Sequence, residues 1–243
     1  ARQQLTHADT LRGTYGAARD WWNVLKYDLH VKFNIPDSTI SGYNVIQFKT
    51  LKKGDVMQID LQEPMQIDSI LVTSGVIKIP LRKEAISKNG NAYFISLANY
   101  RPQTTNYIIV YFHGKPTIAR RPPWDGGLIW KKSADGSPWV SIACQGLGAS
   151  VWYPCKDHQS DEPDSAEMHI TVPDSLMCVG NGRYRGKINN GDGTATYDWA
   201  VTEPINNYNI IPYIGKYVHF NEVYKGEKGD LDMDYWVLEE NLE

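Results

Sequence analysis

The sequence predicts an all-β protein, and three observations predict it. Apolar and polar residues alternate with period two in run after run. Turn signals rich in Gly, Asn, Asp and Pro separate those runs. No stretch of a dozen residues carries the 3.6-residue amphipathic period of a surface helix. The aromatic inventory agrees: 15 Tyr and 8 Trp stand against 5 Phe, and such rings suit half-buried sheet faces and wet binding surfaces. Many short strands with regular turns predict a sandwich-type assembly in a single domain.

The elements follow in order. Residues 1–20 are polar and read as an arm lying over the domain; Ala8 to Gly16 has some helical character, weakened by Gly13 and Gly16. From Trp22 the pattern becomes a strand, with Tyr27, Leu29, Val31, Phe33 and Ile35 alternating with Asp28, His30, Lys32 and Asn34. Pro36-Asp37-Ser38 turns the chain. Ser41 to Thr50 and Val56 to Leu61 are the next strands, the latter with Met57, Ile59 and Leu61 on one face. Ile67 to Val76, Ala92 to Leu97 and Tyr107 to Phe112 follow, punctuated by Gly54-Asp55, Lys88-Asn89-Gly90 and Gly114-Lys115-Pro116. Ala119 to Gly136 holds Pro122-Pro123 and Asp125-Gly126-Gly127 and reads as a long loop within the domain. Ser165 to Val172 and Thr194 to Val201 alternate again, the second entered through the hairpin signal Asn189-Asn190-Gly191-Asp192-Gly193. Residues 21–225 thus form the β domain. Gly226 to Glu243 turns acidic and aromatic without a closing strand and reads as the start of a link to a following domain.

Composition narrows the functional classes. Of 243 residues, 42% are hydrophobic and 22% charged, which excludes intrinsic disorder. A net charge of −3 gives no basic field for nucleic acid. The longest strongly apolar run, Tyr107 to Phe112, falls far short of the roughly 20 residues of a membrane-spanning helix. Cys144, Cys155 and Cys178 are odd in number and form no CxxC pair, which argues against a disulfide framework and a structural zinc site. They read as buried thiols, with one disulfide and a free thiol as the alternative.

Chemistry is sparse. No two of His7, His30, His113, His158, His169 and His219 stand three to five apart, so no HExxH helix pair exists. His30 and His169 fall at outward positions of alternating strands and read as solvent-facing. The run Lys156 to Asp164 carries four carboxylates and a histidine but lacks EF-hand spacing, and reads as a solvated acidic loop. Arg120-Arg121 beside Trp124 and Trp130 is too small a basic patch for nucleic acid. The segment Trp139 to Asp157 is different: it joins a strand, two glycines, an aromatic pair and a Pro-Cys step, with Gln145 between Cys144 and Gly146. Glycines beside a polar side chain permit close approach of a ligand or of another backbone. Gln145 is therefore either a ligand contact or the amide that satisfies a backbone group in a bend.

This motif is one of five pieces that stand in one order. Gln145 precedes Tyr153-Pro154-Cys155-Lys156-Asp157, and Asp161-Glu162-Pro163 follows after a short insertion. Trp22 to Phe33, Ser41-Gly42, Gln58-Ile59-Asp60-Leu61 and Trp199 to Gly215 complete the set. Together, over about residues 20–225, the chain resembles the N-terminal domain of the aminopeptidase N family of zinc metallopeptidases, the gluzincin aminopeptidases with their leukotriene hydrolase branch. The resemblance implies a saddle-shaped, mostly antiparallel β-sandwich assembly that precedes a thermolysin-like catalytic domain. Neither HExxH nor GxMEN occurs here, so it implies a noncatalytic domain, with zinc held by the catalytic domain of the parent enzyme. It implies that Gln145, flanked by Cys144 and Gly146, contacts the N-terminus of a peptide substrate. Ala143 stands where some members carry a further Gln. The expected partners are the catalytic domain and the peptide, with no nucleic acid and no membrane span. The first residue, Ala rather than Met, and the branch resembled point to a periplasmic or secreted location. The alternative reading is a free-standing β-sandwich module for a carbohydrate or protein ligand, with Trp124, Trp130 and Trp152 as stacking platforms.

Overall fold

Alternation, hairpin turns and one long-range pairing build the architecture. The computed structural model describes residues 5–74, 77–97 and 101–242. A short helix, α1 (His7–Gly13), opens the chain. The strands are β1 (Trp22–Asn34), β2 (Thr39–Thr50), β3 (Val56–Asp60), β4 (Gln66–Ser74), β5 (Ile77–Pro80), β6 (Ile86–Asn89), β7 (Ala92–Ser96), β8 (Thr105–Gly114) and β9 (Gly127–Lys132). They continue as β10 (Pro138–Ala143), β11 (Ser165–Pro173), β12 (Met177–Val179), β13 (Arg183–Asn189), β14 (Thr194–Val201), β15 (Tyr213–Gly215), β16 (Tyr217–Gly226) and β17 (Gly229–Leu238). The end of the expected strand at Val76, the first four residues of the arm and Glu243 lie outside the described residues.

The protein is all-β and mostly antiparallel, as the alternation predicts. An eight-stranded sheet runs in the order β13-β14-β11-β1-β2-β8-β4-β5. A four-stranded sheet β12-β15-β10-β9, a three-stranded sheet β3-β7-β6 and the hairpin β16-β17 complete it. Among the described strands, β1 with β11 is the parallel pair. Leu29, Val31 and Phe33 of β1 and Met168, Ile170 and Val172 of β11 point to one face and are buried. One core cluster joins them to Leu128, Val140 and Ile142 of the smaller sheet. The indole of Trp199 donates to Cys178 O at 3.0 Å, and the Tyr197 hydroxyl donates to Leu176 O at 2.9 Å, tying β14 to the β12 region. These bonds satisfy the polar ends of two large buried rings.

Three expectations change. The arm is better ordered than its glycines suggest, because Thr6 and Asp9 cap α1 reciprocally. The supposed loop 119–136 contains β9, which pairs with β10 from Gly127 to Lys132. The tail does not leave β structure: β17 pairs with β16 from Tyr217↔Leu238 to Gly226↔Gly229. Most of that hairpin is exposed on both faces, so its residues carry no inside–outside alternation to read. Among the described residues, no helix is long and apolar enough to cross a membrane.

Candidate functional site

A cleft of about 1190 Å³ opens beyond the end of β10. Arg12, Gln145, Asp157, His158, Asn207 and Tyr213 are among its walls. Gln145 stands exposed on a tight turn, where Leu147 N and Gly148 N both donate to Cys144 O at 3.1 and 2.8 Å. Gly146 and Gly148 hold φ of +72° and +85°. Gly148 is also required for space, since a Cβ there would lie 2.3 Å from Asp157 Oδ2.

Other groups satisfy this bend. Arg12 Nη1 donates to the carbonyls of Gly146 and Leu147 at 2.9 and 2.6 Å, and Gln62 Nε2 donates to Leu147 O at 2.5 Å. No described residue hydrogen-bonds the Gln145 amide. Arg12 and Gln62 thus satisfy the Gly146 and Leu147 carbonyls of this bend. Cys144 is half-buried beside it, and burial pushes its thiol up to about 12, so it is no nucleophile at neutral pH. All three cysteines are free.

Beneath the cleft lies a knot of buried charge. Lys156, Asp157 and Asp161 are buried, which corrects the reading of 156–164 as a solvated loop. Lys156 Nζ pairs with Asp161 at 3.1 Å, donates to Trp22 O at 2.7 Å and to the Tyr15 hydroxyl at 2.9 Å, and sits 4.6 Å above the Trp22 ring. Asp157 accepts from Ala149 N, Ser150 N and Ser150 Oγ at 3.3, 3.2 and 2.6 Å, fixing the 3-10 turn Ala149–Val151. Arg19 Nη2 donates to Asp60 at 2.5 Å, and Asp60 accepts from Asp157 N at 3.2 Å. Burial lifts the Asp60 carboxyl to about 6, with Arg19 and then Gln58 opposing it. Buried charges persist only when paired in this way.

The other sequence candidates are dispersed. Trp124 is 78% exposed, but Trp130 is half-buried and Trp152 is fully buried, so the three make no common platform. Arg121 is bound to Asp125 at 3.0 Å. His30 and His169 do project from the face opposite the core, but not singly into solvent. They stack at 4.2 Å and 14°, with Asp28 between their ring nitrogens. Sequence reasoning misses this group, because the adjacency depends on the β1–β11 register.

No family model matches this sequence, and no curated protein matches it. Solved structures do. A point variant of a two-domain M1 zinc metallopeptidase bound to L-tryptophan superposes with a TM-score of 0.75 at 16% identity, covering 94% of this chain and 50% of that one. The M1 zinc metallopeptidase of Deinococcus radiodurans gives 0.74 at 16% identity, with the same coverage. A variant of the same organism's M1 zinc metallopeptidase bound to a Tyr-Ser-Ala substrate also gives 0.74 at 16% identity. At that identity the likeness establishes the fold. This chain spans about half the length of the two-domain M1 zinc metallopeptidases it matches, and it carries the fold of that half.

Proposed function

We propose that this chain is the noncatalytic N-terminal domain of a zinc aminopeptidase, where it caps the active-site cleft and helps hold the substrate N-terminus. The observation that carries the reading is Gln145, an amide without a partner among the described residues, on the rim of a cleft whose turn is held by other groups. An ammonium donates only, and an amide oxygen accepts from it at no cost in deprotonation. The shared fold supports the domain assignment. The zinc of such an enzyme would be held by the catalytic domain, and the part of this chain is to bind and orient the peptide. Binding of one amine at a fixed distance from a catalytic centre would select cleavage after a single residue.

The coding frame beyond Glu243 is the first thing to read; HExxH and GxMEN within it support the proposal. In the full-length enzyme, Gln145→Ala should lower kcat/KM for short peptides by about 10-fold or more, the size of one hydrogen bond to a charged group. Unchanged kinetics across several substrates would overturn the role of Gln145. A free-standing carbohydrate module has less support, because its aromatic platform is not assembled.

A further inference from the structure

We propose that Asp28, His30 and His169 bind a divalent transition-metal ion on the outer face of the eight-stranded sheet. The chain itself sets up the geometry. Asp28 and His30 are two apart on β1, so they share the face opposite buried Leu29. The parallel register places His169 of β11 directly beside His30. His30 Nε2 and His169 Nε2 then approach the same oxygen, Asp28 Oδ1, at 3.0 and 3.3 Å. One ligand atom from each residue lies within 4.8 Å of the other two.

That oxygen is the clue. Asp28 Oδ1 is closed off from solvent, and the groups that reach it are the ring nitrogens of His30 and His169. Two imidazole nitrogens and a carboxylate oxygen within 4.8 Å of one another are the donor set of a borderline cation. Two nitrogens of three favour zinc, cobalt, nickel or copper over calcium or magnesium.

Asp198 adds an independent element. Its Oδ1 lies 2.6 Å from His169 Nδ1. A carboxylate there accepts a hydrogen bond from Nδ1–H and holds the ring with Nε2 toward Asp28, the outer arrangement that metal-bound histidines usually have. The β11–β14 register sets it, since His169 faces Asp198. Three protein ligands leave coordination positions open, unlike a closed structural site. A hollow of about 630 Å³ walled by Lys26, Glu167, His169, Arg185 and Asp198 adjoins the cluster on the His169 side. None of the three ligands lines the cleft of Gln145, so this site stands or falls apart from the peptidase reading.

The test uses the whole chain, free of any affinity tag and stripped with EDTA. Zinc is titrated calorimetrically, and cobalt is followed by its visible d–d absorption. The expected result is one ion per chain, with a cobalt spectrum of low coordination number. Asp198→Asn, which keeps shape but loses the charge on Nδ1, should weaken affinity about 10–100-fold. His169→Ala should abolish binding, while His113→Ala, in a separate pair with Asp68 at 2.6 Å, should not change it. Circular dichroism confirms that each variant folds; if His169→Ala does not, Asp198→Asn and Asp28→Asn decide. No saturable binding by the parent chain would overturn the proposal, as would equal affinity in the folded Asp28, His169 and Asp198 variants.

Discussion

Two groups of charge occupy opposite situations in this molecule. The knot under the cleft is dry: Arg19, Asp60, Lys156, Asp157 and Asp161 are all buried. Each of those charges meets another charge, a backbone group or a ring. The outer cluster of Asp28, His30, His169 and Asp198 is partly exposed, and its central oxygen is shared by two imidazoles. The first group is committed to architecture, joining the arm, β3 and the 153–161 segment. The second holds its carboxylates between imidazoles at the sheet surface. Burial forces charges to satisfy one another, whereas a half-wet shelf on a sheet can keep a place for an outside ligand.

The difference can be broken at its strongest point first. Arg19→Met leaves Asp60 buried without its guanidinium and should cost about 3–5 kcal/mol in urea unfolding. A cost below about 1 kcal/mol would show the knot to be no more structural than a surface pair. The next effect concerns pH. Because the folded Asp60 carboxyl sits near 6, above its unfolded value of 3.8, its protonation stabilises the fold. That contribution is fully present below about 4 and lost as the pH rises through about 6. The stability difference between the parent and Asp60→Asn should therefore titrate across that window; a flat difference would contradict the assignment. The smallest effect belongs to the outer cluster. In metal-free protein, His30→Gln should change stability by less than about 1 kcal/mol, as partly exposed pairs do. A larger loss would make that cluster a second structural knot.

Legibility in the sequence follows the same division. β1, β2, β11 and β14 can be read because each buries one face and alternates. Gln145 stands out through its glycines and the Pro-Cys step beyond it. β16 and β17 escape notice because a hairpin exposed on both faces has no burial pattern. The burial of Lys156 and Asp161 is hidden because a run of charges looks the same whether it faces water or partners far away in sequence. The outward placement of His30 and His169 is legible, yet their pairing depends on a parallel register between distant strands, which local periodicity does not encode.

That parallel register also dictates an order of assembly. β1 already pairs with β2, so its other edge waits for β11, which emerges from the ribosome only after β3 to β10 have been made. At about 5–20 residues per second, the nascent chain carries an open strand edge for several seconds. The outward row of Asp28, His30 and Lys32 on that strand places charge beside the unpaired backbone. Charged side chains on an edge discourage wrong pairing, so the residues that later face the outer shelf first serve as guards on an unfinished sheet.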